Sequence, residues 1–307
     1  MRIAVIGTGA MGCVYAALFA EAGHDVTAVD AWADHIDAIC RNGLRLDGFT
    51  GDRVISGISA RMLNERLPEA ELYILATKAD GIADAAAKLN AETPPDAMVL
   101  TIQNGMGSAD ILAGGISSDR ILVGVAEGFG ASMTGPGHGH HTSMTRIRLG
   151  EYGGGETARL AEVTALWQGA GFPAEAYANI DQLIWEKFIC NVSLSGPCTI
   201  TGCTVGELMA DPTLWRMALD CGVEAYAVGK ARGVQFSYDD PEAYVTTFAA
   251  KLGGAKPSMT LDHEAGRRSE IDIINGMVPK LAARAGLDAP VNRAVTAIIH
   301  HREKSFT

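Results

Sequence analysis

The sequence predicts an α/β protein in which a doubly wound parallel sheet is followed by an all-helical second domain. Three observations support this prediction. The chain opens with a strand, a glycine-rich turn and a helix; strand-like runs then alternate with Ala-rich helical segments; and beyond about residue 157 helical periodicity replaces the β-branched runs. Because 307 residues exceed what one hydrophobic core usually supports, we expect two domains, at residues 1–178 and 179–307.

The first strand, helix and strand form a βαβ unit. Residues 2–6 are a short apolar run typical of a buried strand, and residues 13–22 are a small-residue helix that Gly23 ends. A second strand is predicted at residues 25–30, followed by a helix around residues 35–41. Such a unit predicts that neighbouring strands of the sheet are parallel.

Three more strand-like runs follow, and then the pattern changes. They occupy residues 72–77, 98–102 and 121–125, and their separation by helix-length segments again predicts a parallel sheet. The Gly-rich stretch 128–139 is predicted to be a loop. The remaining segments are predicted to be helices at residues 157–170, 179–195, 204–232, 240–252, 258–286 and 290–302.

The composition restricts the class of partner. A net charge of −11 argues against nucleic acid or an anionic membrane as partner, because phosphates and acidic lipids repel an acidic surface. No run approaches about eighteen apolar residues, so no membrane span is predicted. The six cysteines lie among apolar neighbours without CxxC pairs, which indicates reduced thiols and a cytoplasmic protein. The expected partner is a small molecule, and a homodimer is left open.

The turn after the first strand has the GxGxxG pattern of a dinucleotide site. It reads GTGAMG and begins a helix whose N-terminus favours a pyrophosphate. Asp30 ends the second strand, where a carboxylate usually accepts from a ribose 2′-hydroxyl and repels a 2′-phosphate, so NAD is favoured. The alternative for Asp30 is a helix cap or a solvated carboxylate. The other predicted cofactor-binding residues are Gly7, Gly9, Ala10, Met11 and Gly12.

Two polar residues follow the next two strands. Lys78 comes directly after residues 72–77, and Asn104 follows residues 98–102. Open α/β sheets bind ligands at the carboxyl ends of their parallel strands, so we expect both side chains to face the cofactor. The alternatives are a solvated lysine and, for Asn104 with Gly105 after it, a plain turn.

A polar stripe runs through the apolar segment IWEKFICNVSLS. Lys187, Asn191 and Ser195 are four residues apart, so they would share one face of a helix. A ketone that accepts hydride develops negative charge on its oxygen, and a site for that reaction needs a proton donor and a hydrogen-bond donor. Lys187 can donate the proton and Asn191 can hold the hydroxyl. The alternative is a surface lysine, paired with Glu186 or free.

Other polar or turn-forming residues receive structural interpretations. Gly196-Pro197 is expected to end the helix directly after the stripe. Ser258 has the position of an N-cap, and Glu270 is typical of a surface carboxylate on the helix that follows. The HGHH run at residues 138–141 is Gly-flanked and has no neighbouring cysteine or carboxylate set, so no metal site is predicted.

Six motifs occur in an order and spacing typical of a known family. They are GTGAMG, ATK at 76–78, QNG at 103–105, KFICN at 187–191, GEL at 206–208, and SM followed by GRRSEIDIINGMV at 266–278. Over nearly the whole chain they resemble the ketopantoate reductase (2-dehydropantoate 2-reductase) family of pantothenate biosynthesis. The resemblance implies a Rossmann domain and a helical domain similar to that of 6-phosphogluconate dehydrogenase. It also implies reduction of a 2-oxo acid by a nicotinamide cofactor bound in the cleft between the domains.

The resemblance further implies roles for individual residues. By motif position, Lys187 matches the general acid of the family, and Glu270 matches the EID glutamate near the reacting centre. The other matches are substrate contacts at Asn104, Asn191, Ser195 and Ser258, and cofactor contacts at Lys78, Asn104 and Glu270.

Three positions depart from the family pattern. Members that use NADPH typically have an Arg just after the second strand, where residues 30–32 read Asp-Ala-Trp, so NAD is favoured while the resemblance leaves NADP open. Ser195 stands where an Asn is usual, and residues 253–255 lack the Asn expected before the SM motif. We therefore expect a 2-oxo acid other than ketopantoate to be the best substrate.

Two other functions are compatible with the same residues. A 3-hydroxyacid dehydrogenase of the lysine-dependent group also pairs a GxGxMG turn with a helical Lys-xxx-Asn, although the SM and EID motifs favour the reductase. A non-catalytic NAD(P)-sensing protein would bind dinucleotide without turnover. Such a protein has no need of Lys187 together with Glu270.

Overall fold

The computed structural model describes residues 1–78 and 81–306 and divides the chain into two compact units, Met1–Ile180 and Asp181–Thr307. The strands are β1 (Arg2–Ile6), β2 (Asp25–Asp30), β3 (Leu44–Gly48), β4 (Arg53–Ile55), β5 (Ser59–Met62), β6 (Leu72–Leu75), β7 (Met98–Thr101), β8 (Ile121–Glu127), β9 (Gly130–Gly135), β10 (His138–Ser143), β11 (Arg146–Glu151) and β12 (Ala174–Ala176).

The helices are short in the first unit and dominate the second. Those of the first unit are α1 (Ala10–Glu21), α2 (Ala33–Asn42), α3 (Ile82–Glu92), α4 (Ser108–Ala113) and α5 (Ala158–Gly169). Those that follow are α6 (Ile180–Thr201), α7 (Val205–Ala210), α8 (Pro212–Ala231), α9 (Pro241–Ala249), α10 (Ser258–Glu264), α11 (Met277–Arg284) and α12 (Pro290–Glu303). None of the helices in the described ranges is long and apolar enough to cross a membrane.

The main sheet of the first unit is doubly wound. Its order is β12-β11-β8-β7-β6-β1-β2-β5, and among its described strands only β8 and β11 pair antiparallel. Read from β5 to β8, the order is that of the dinucleotide-binding fold, with β1 between β2 and β6. Ile6 is opposite both Val29 and Leu75, so these three strands end at the same edge of the sheet. The predicted fold class is confirmed.

A second, four-stranded sheet was not predicted from the sequence. Its order is β4-β3-β10-β9, and it includes most of residues 128–139, so the loop prediction for that stretch is wrong. The glycines there allow close packing rather than a loop. A Cβ on Gly139 would lie 2.9 Å from the Cβ of Cys13, which shows that α1 packs directly against β10.

Helix α6 continues through Gly196-Pro197 to Thr201, so the predicted end of the helix after Ser195 is wrong. A Cβ on Gly196 would lie 2.5 Å from Asn275 Oδ1 and 2.5 Å from Val295 Cγ1. The glycine is therefore required by close packing. Burial of the helix in the second unit outweighs the cost of a proline in its interior.

Two long predicted helices are each divided in the structure. Residues 204–232 form α7 and α8, because Asp211 accepts hydrogen bonds from the first backbone N–H groups of α8. Residues 258–286 form α10, a 3₁₀ turn at Ile271–Ile273 and α11, and Gly266 has a positive φ of 66° just after α10. Ser258 is the first residue of α10 and Pro257 is the N-cap, so the interpretation of Ser258 as an N-cap is also wrong.

Candidate active-site residues

The glycine-rich turn between β1 and α1 contains one open and two crowded glycines. Gly7 has φ +88°, and a Cβ there would lie 2.4 Å from the backbone N of Thr77. A Cβ on Gly12 would lie 2.1 Å from the carbonyl oxygen of Gly7. Around Gly9, no described atom lies within 4 Å of an added Cβ. The first and third glycines thus shape the turn, whereas the second leaves its backbone accessible to a ligand.

The loops after β1, β6 and β7 contact one another at the carboxyl edge of the sheet. Besides the approach of Gly7 to Thr77, Gln103 Nε2 lies 3.5 Å from Thr77 Oγ1, and Thr101 donates its hydroxyl hydrogen to Gln103 Oε1. Lys78 and Asn104 are exposed at this edge. The structure therefore places both residues where parallel strands of open α/β sheets bind ligands.

Asp30 is half-buried at the end of β2 and is followed by a fixed aromatic ring. Its Oδ1 accepts a hydrogen bond of 2.9 Å from the backbone N–H of Trp32. Trp32 is 40% exposed and stacks on His35, with ring centroids 5.3 Å apart. Burial lowers the pKa of His35, whose Nδ1 accepts from the N–H of Gly137.

A pocket of about 500 Å³ lies beside the end of β2. Its volume is within the range of small-molecule sites. The pocket had no sequence signal, because short segments that are distant in the chain contribute to it. Its lining residues are Ala31, Met62, Leu63, Asn64, Thr77, Gly81, Asp84, Ala85 and Lys88.

In the second unit, the continuous helix α6 places the polar stripe on one face. Lys187 and Asn191 are half-buried, and Ser195 is only 5% exposed. The neighbouring Glu186 is buried, and its Oε1 accepts from Gln182 Nε2 at 3.1 Å and from the backbone N–H of Ser237 at 2.8 Å. Glu186 thus helps to attach α6 to the segment after α8. The predicted common face is present in the structure.

The other predicted residues of the second unit lie on α10 and on the segment that follows it. Ser258 is exposed at the start of α10, and α10 contacts α6 where the hydroxyls of Thr199 and Thr260 approach to 3.1 Å. Glu270 is half-buried directly before the 3₁₀ turn. Both residues are thus on segments that pack within the same helical unit as Lys187.

Two histidines of β10 bind a carboxylate on the neighbouring strand β3. His138 and His140 both hydrogen-bond to the carboxylate of Asp47 on β3. These two bonds lower the pKa of Asp47, and the bond from His140 has the larger effect. Over residues 1–78 and 81–306, no group of three or more His, Cys, Asp or Glu side chains is arranged to hold a metal ion.

Family comparisons agree with the fold and the motifs. The protein-family model described as "Ketopantoate reductase PanE/ApbA" matches residues 3–154 of the sequence. The family model described as "Ketopantoate reductase PanE/ApbA C terminal" matches residues 179–303. The chain belongs to the ketopantoate reductase family. This confirms the resemblance drawn from the motifs and favours the reductase over the 3-hydroxyacid dehydrogenase alternative.

One curated relative and two solved structures are similar to the chain over nearly its whole length. A 2-dehydropantoate 2-reductase of Streptococcus pyogenes is 30% identical over 304 residues, covering 99% of this chain and 98% of the relative. A PanE/ApbA family ketopantoate reductase of Ralstonia eutropha superposes with a TM-score of 0.90 at 29% identity, with 99% of each chain covered. A ternary structure of D-mandelate dehydrogenase with NADH and anilino(oxo)acetate gives a TM-score of 0.91 at 25% identity, covering 100% of this chain and 99% of the other.

Proposed function

We propose that this ketopantoate reductase family member uses a nicotinamide cofactor, preferably NADH, to reduce a 2-oxo acid to the 2-hydroxy acid. The observation that supports this most directly is the unbroken helix α6, on which Lys187 and Asn191 share a half-buried face. A cationic donor and an amide in that arrangement suit a carbonyl oxygen that gains negative charge. The family match over residues 3–154 and 179–303 supports the reaction class.

Each proposed residue has one chemical task. A bound reduced nicotinamide cofactor would supply hydride to the carbonyl carbon of the 2-oxo acid. Lys187 donates a proton to the carbonyl oxygen, which completes the alcohol. Asn191 donates a hydrogen bond to the same oxygen in the transition state. Ser195 and Ser258 are proposed as substrate contacts, and Glu270 as a carboxylate near the reacting centre.

The first unit is proposed to bind the cofactor at the carboxyl edge of its sheet. The open backbone at Gly9, before the N-terminus of α1, suits the pyrophosphate. The pocket beside Asp30 suits the adenosine end of the cofactor, because it is largely apolar and adjoins the residue proposed to accept from the ribose. Lys78 and Asn104 are proposed cofactor contacts at the ends of the neighbouring strands.

Cofactor preference can be measured directly. We expect a higher kcat/KM with NADH than with NADPH, because one oxygen of Asp30 bonds Trp32 and the carboxylate would repel a 2′-phosphate. Asp30→Asn keeps an acceptor for Trp32 and removes the charge, so the NADPH/NADH ratio of kcat/KM should rise on the order of tenfold. Asp34→Asn, on the exposed first turn of α2, is the control. A parent enzyme that turns over NADPH as well as NADH would contradict the preference.

Two glycine substitutions should have different effects, one on the affinity for NADH and the other on the stability of the fold. Gly9→Ala should leave the melting temperature nearly unchanged and weaken NADH binding about tenfold or more, because its methyl group would occupy the space needed by the pyrophosphate. Gly12→Ala should lower the free energy of unfolding by about 1–3 kcal/mol, because its methyl group would overlap the Gly7 carbonyl. Isothermal titration measures the affinity for NADH, and thermal unfolding measures the stability of each variant. NADH affinity unchanged in Gly9→Ala would contradict the proposed position of the pyrophosphate.

A screen of 2-oxo acids, following absorbance of NADH and NADPH, tests the proposed reaction and its substrate. We expect turnover of one or more 2-oxo acids, with ketopantoate not the best of them, because Ser195 is shorter than the usual Asn and forms fewer bonds to a polar substrate. Aryl-substituted 2-oxo acids belong in the screen because D-mandelate dehydrogenase is similar along the whole chain. Ketopantoate turnover far above all others would show that Ser195 does not change specificity.

Two features remain predictions from the composition and the cysteine pattern: the cytoplasmic location and the absence of nucleic-acid binding. The homodimer is left open by the sequence, and sedimentation of the purified protein tests it.

A further inference from the structure

Glu303, the last residue of α12, is a buried carboxylate with three donors on one oxygen. Its Oε1 accepts from the backbone N–H of Ser269 at 2.8 Å and from Ser269 Oγ at 2.6 Å, and His263 Nε2 lies 3.1 Å from the same oxygen. The side chains of Glu303 and His263 are 10% and 9% exposed, and the ring of Phe306 packs edge-on against His263. Such charge-assisted bonds in a buried cluster are strong and directional.

The cluster joins the two ends of an exposed connection. His263 is in the last turn of α10, and Ser269 directly precedes Glu270. Between them, residues 264–268 are all exposed, and Gly266 has φ +66°. This connection buries little surface of its own. The backbone N–H groups of Gly266 and Arg267 bond to the last turn of α10, and the Glu303 cluster attaches the other end of the connection, at Ser269.

Glu303 is ionised at neutral pH, so it can accept all of these hydrogen bonds there. Burial alone would raise the pKa of its carboxyl group, but the hydrogen bonds from Ser269 and His263 hold it below the usual range. The carboxylate therefore stays ionised and keeps its acceptor role at neutral pH.

We propose that Glu303 is a positioning residue for the reduction, and that it fixes Glu270 relative to Ser258 by binding both ends of the connection through one carboxylate. This inference rests on the proposed function, since it takes Ser258 and Glu270 as the residues that act on the substrate. A displacement of about 1 Å at a reacting group can cost on the order of a hundredfold in rate. Glu303 is therefore expected to affect turnover although it contacts neither substrate nor cofactor.

The test compares full-length Glu303→Ala and Glu303→Gln with Glu264→Ala. Glu264 is the matched control, because it follows His263 on α10 and forms an exposed ion pair with Lys256. We expect Glu303→Ala to lower kcat for the best 2-oxo acid on the order of tenfold to a hundredfold. Glu303→Gln retains an acceptor oxygen for Ser269 and should recover part of the rate. Glu264→Ala should match the parent.

Hydrogen exchange gives a second measurement that does not depend on activity. Amides of residues 264–270 should exchange faster in Glu303→Ala than in Glu264→Ala, at a temperature where all variants are folded. Ser269→Ala, which removes one of the three bonds, replaces Glu303→Ala if that variant fails to fold, and should show a smaller change in the same direction.

The two proposals fail in distinguishable ways. Unchanged exchange at residues 264–270, or kcat within about twofold of the parent with only a lower melting temperature, would overturn the positioning role. A parent protein that reduces none of the 2-oxo acids would instead overturn the proposed function.

Discussion

Replacing Lys187 by Met is expected to lower kcat for 2-oxo acid reduction on the order of 10²–10⁴-fold, the usual contribution of a positioned general acid. Methionine has a similar length and suits a half-buried helical position, but it cannot donate a proton to the carbonyl oxygen. The KM for NADH should barely change, because the proposed cofactor contacts with the pyrophosphate and ribose are residues of the first unit. Steady-state and single-turnover kinetics measure the effect on the chemical step.

Lys230→Met is the matched control for this substitution. Lys230 is an exposed lysine in the last turn of α8, so its replacement removes the same charge from the same unit without altering the α6 face. Activity of Lys187→Met within a few-fold of the parent would exclude Lys187 as the acid, and Ser258 and Glu270 would then be tested as donors. A parent that binds NADH without turning over any 2-oxo acid would support the NAD(P)-sensing alternative.

The parts of the fold that were predicted correctly are those whose pattern lies in residues close together in the sequence. The run at residues 2–6, the glycines that follow it and Asp30 lie within one βαβ unit, so short-range pattern was enough to predict a doubly wound sheet. The stripe on α6 was predictable for the same reason, since Lys187 and Asn191 differ by one helical repeat.

The errors occur where distant contacts override local signals. Gly196-Pro197 reads as a helix end, but the close approach of Asn275 and Val295 explains the glycine, and the helix continues. The stretch 128–139 reads as a loop, but β10 pairs with β3, which is about ninety residues earlier in the chain. The pocket beside β2 and the Glu303 cluster were missed because no short segment contains more than part of either.

Asn275 shows how such distant contacts stabilise the proposed acid helix. It is fully buried, and its Nδ2 donates to the carbonyl of Val192 on α6 at 2.8 Å and to Asn292 Oδ1 on α12 at 2.9 Å. Asn292 in turn donates to the Cys221 carbonyl at 3.0 Å and to Glu224 at 2.8 Å, both on α8. The two amides thus link three helices of the second unit, beginning at the residue after Asn191.

Asn275→Ala is therefore expected to lower the free energy of unfolding of the second unit by about 2–5 kcal/mol. The substitution leaves Asn292 Oδ1 without this donor, removes one bond to the Val192 carbonyl and adds a small cavity beside Gly196; together these losses exceed the gain from removing the buried Asn275 Oδ1, which has no hydrogen-bond partner among the described residues. Urea unfolding, with hydrogen exchange of the α6 amides to assign the loss, measures it. Asn90→Ala, at an exposed position on α3, should change stability by less than about 0.5 kcal/mol.

Because Asn275 and Asn292 share one network, the double variant with Asn292→Ala should cost less than the sum of the two single losses. Strict additivity, or a loss for Asn275→Ala no larger than that for Asn90→Ala, would show that the network does not anchor α6.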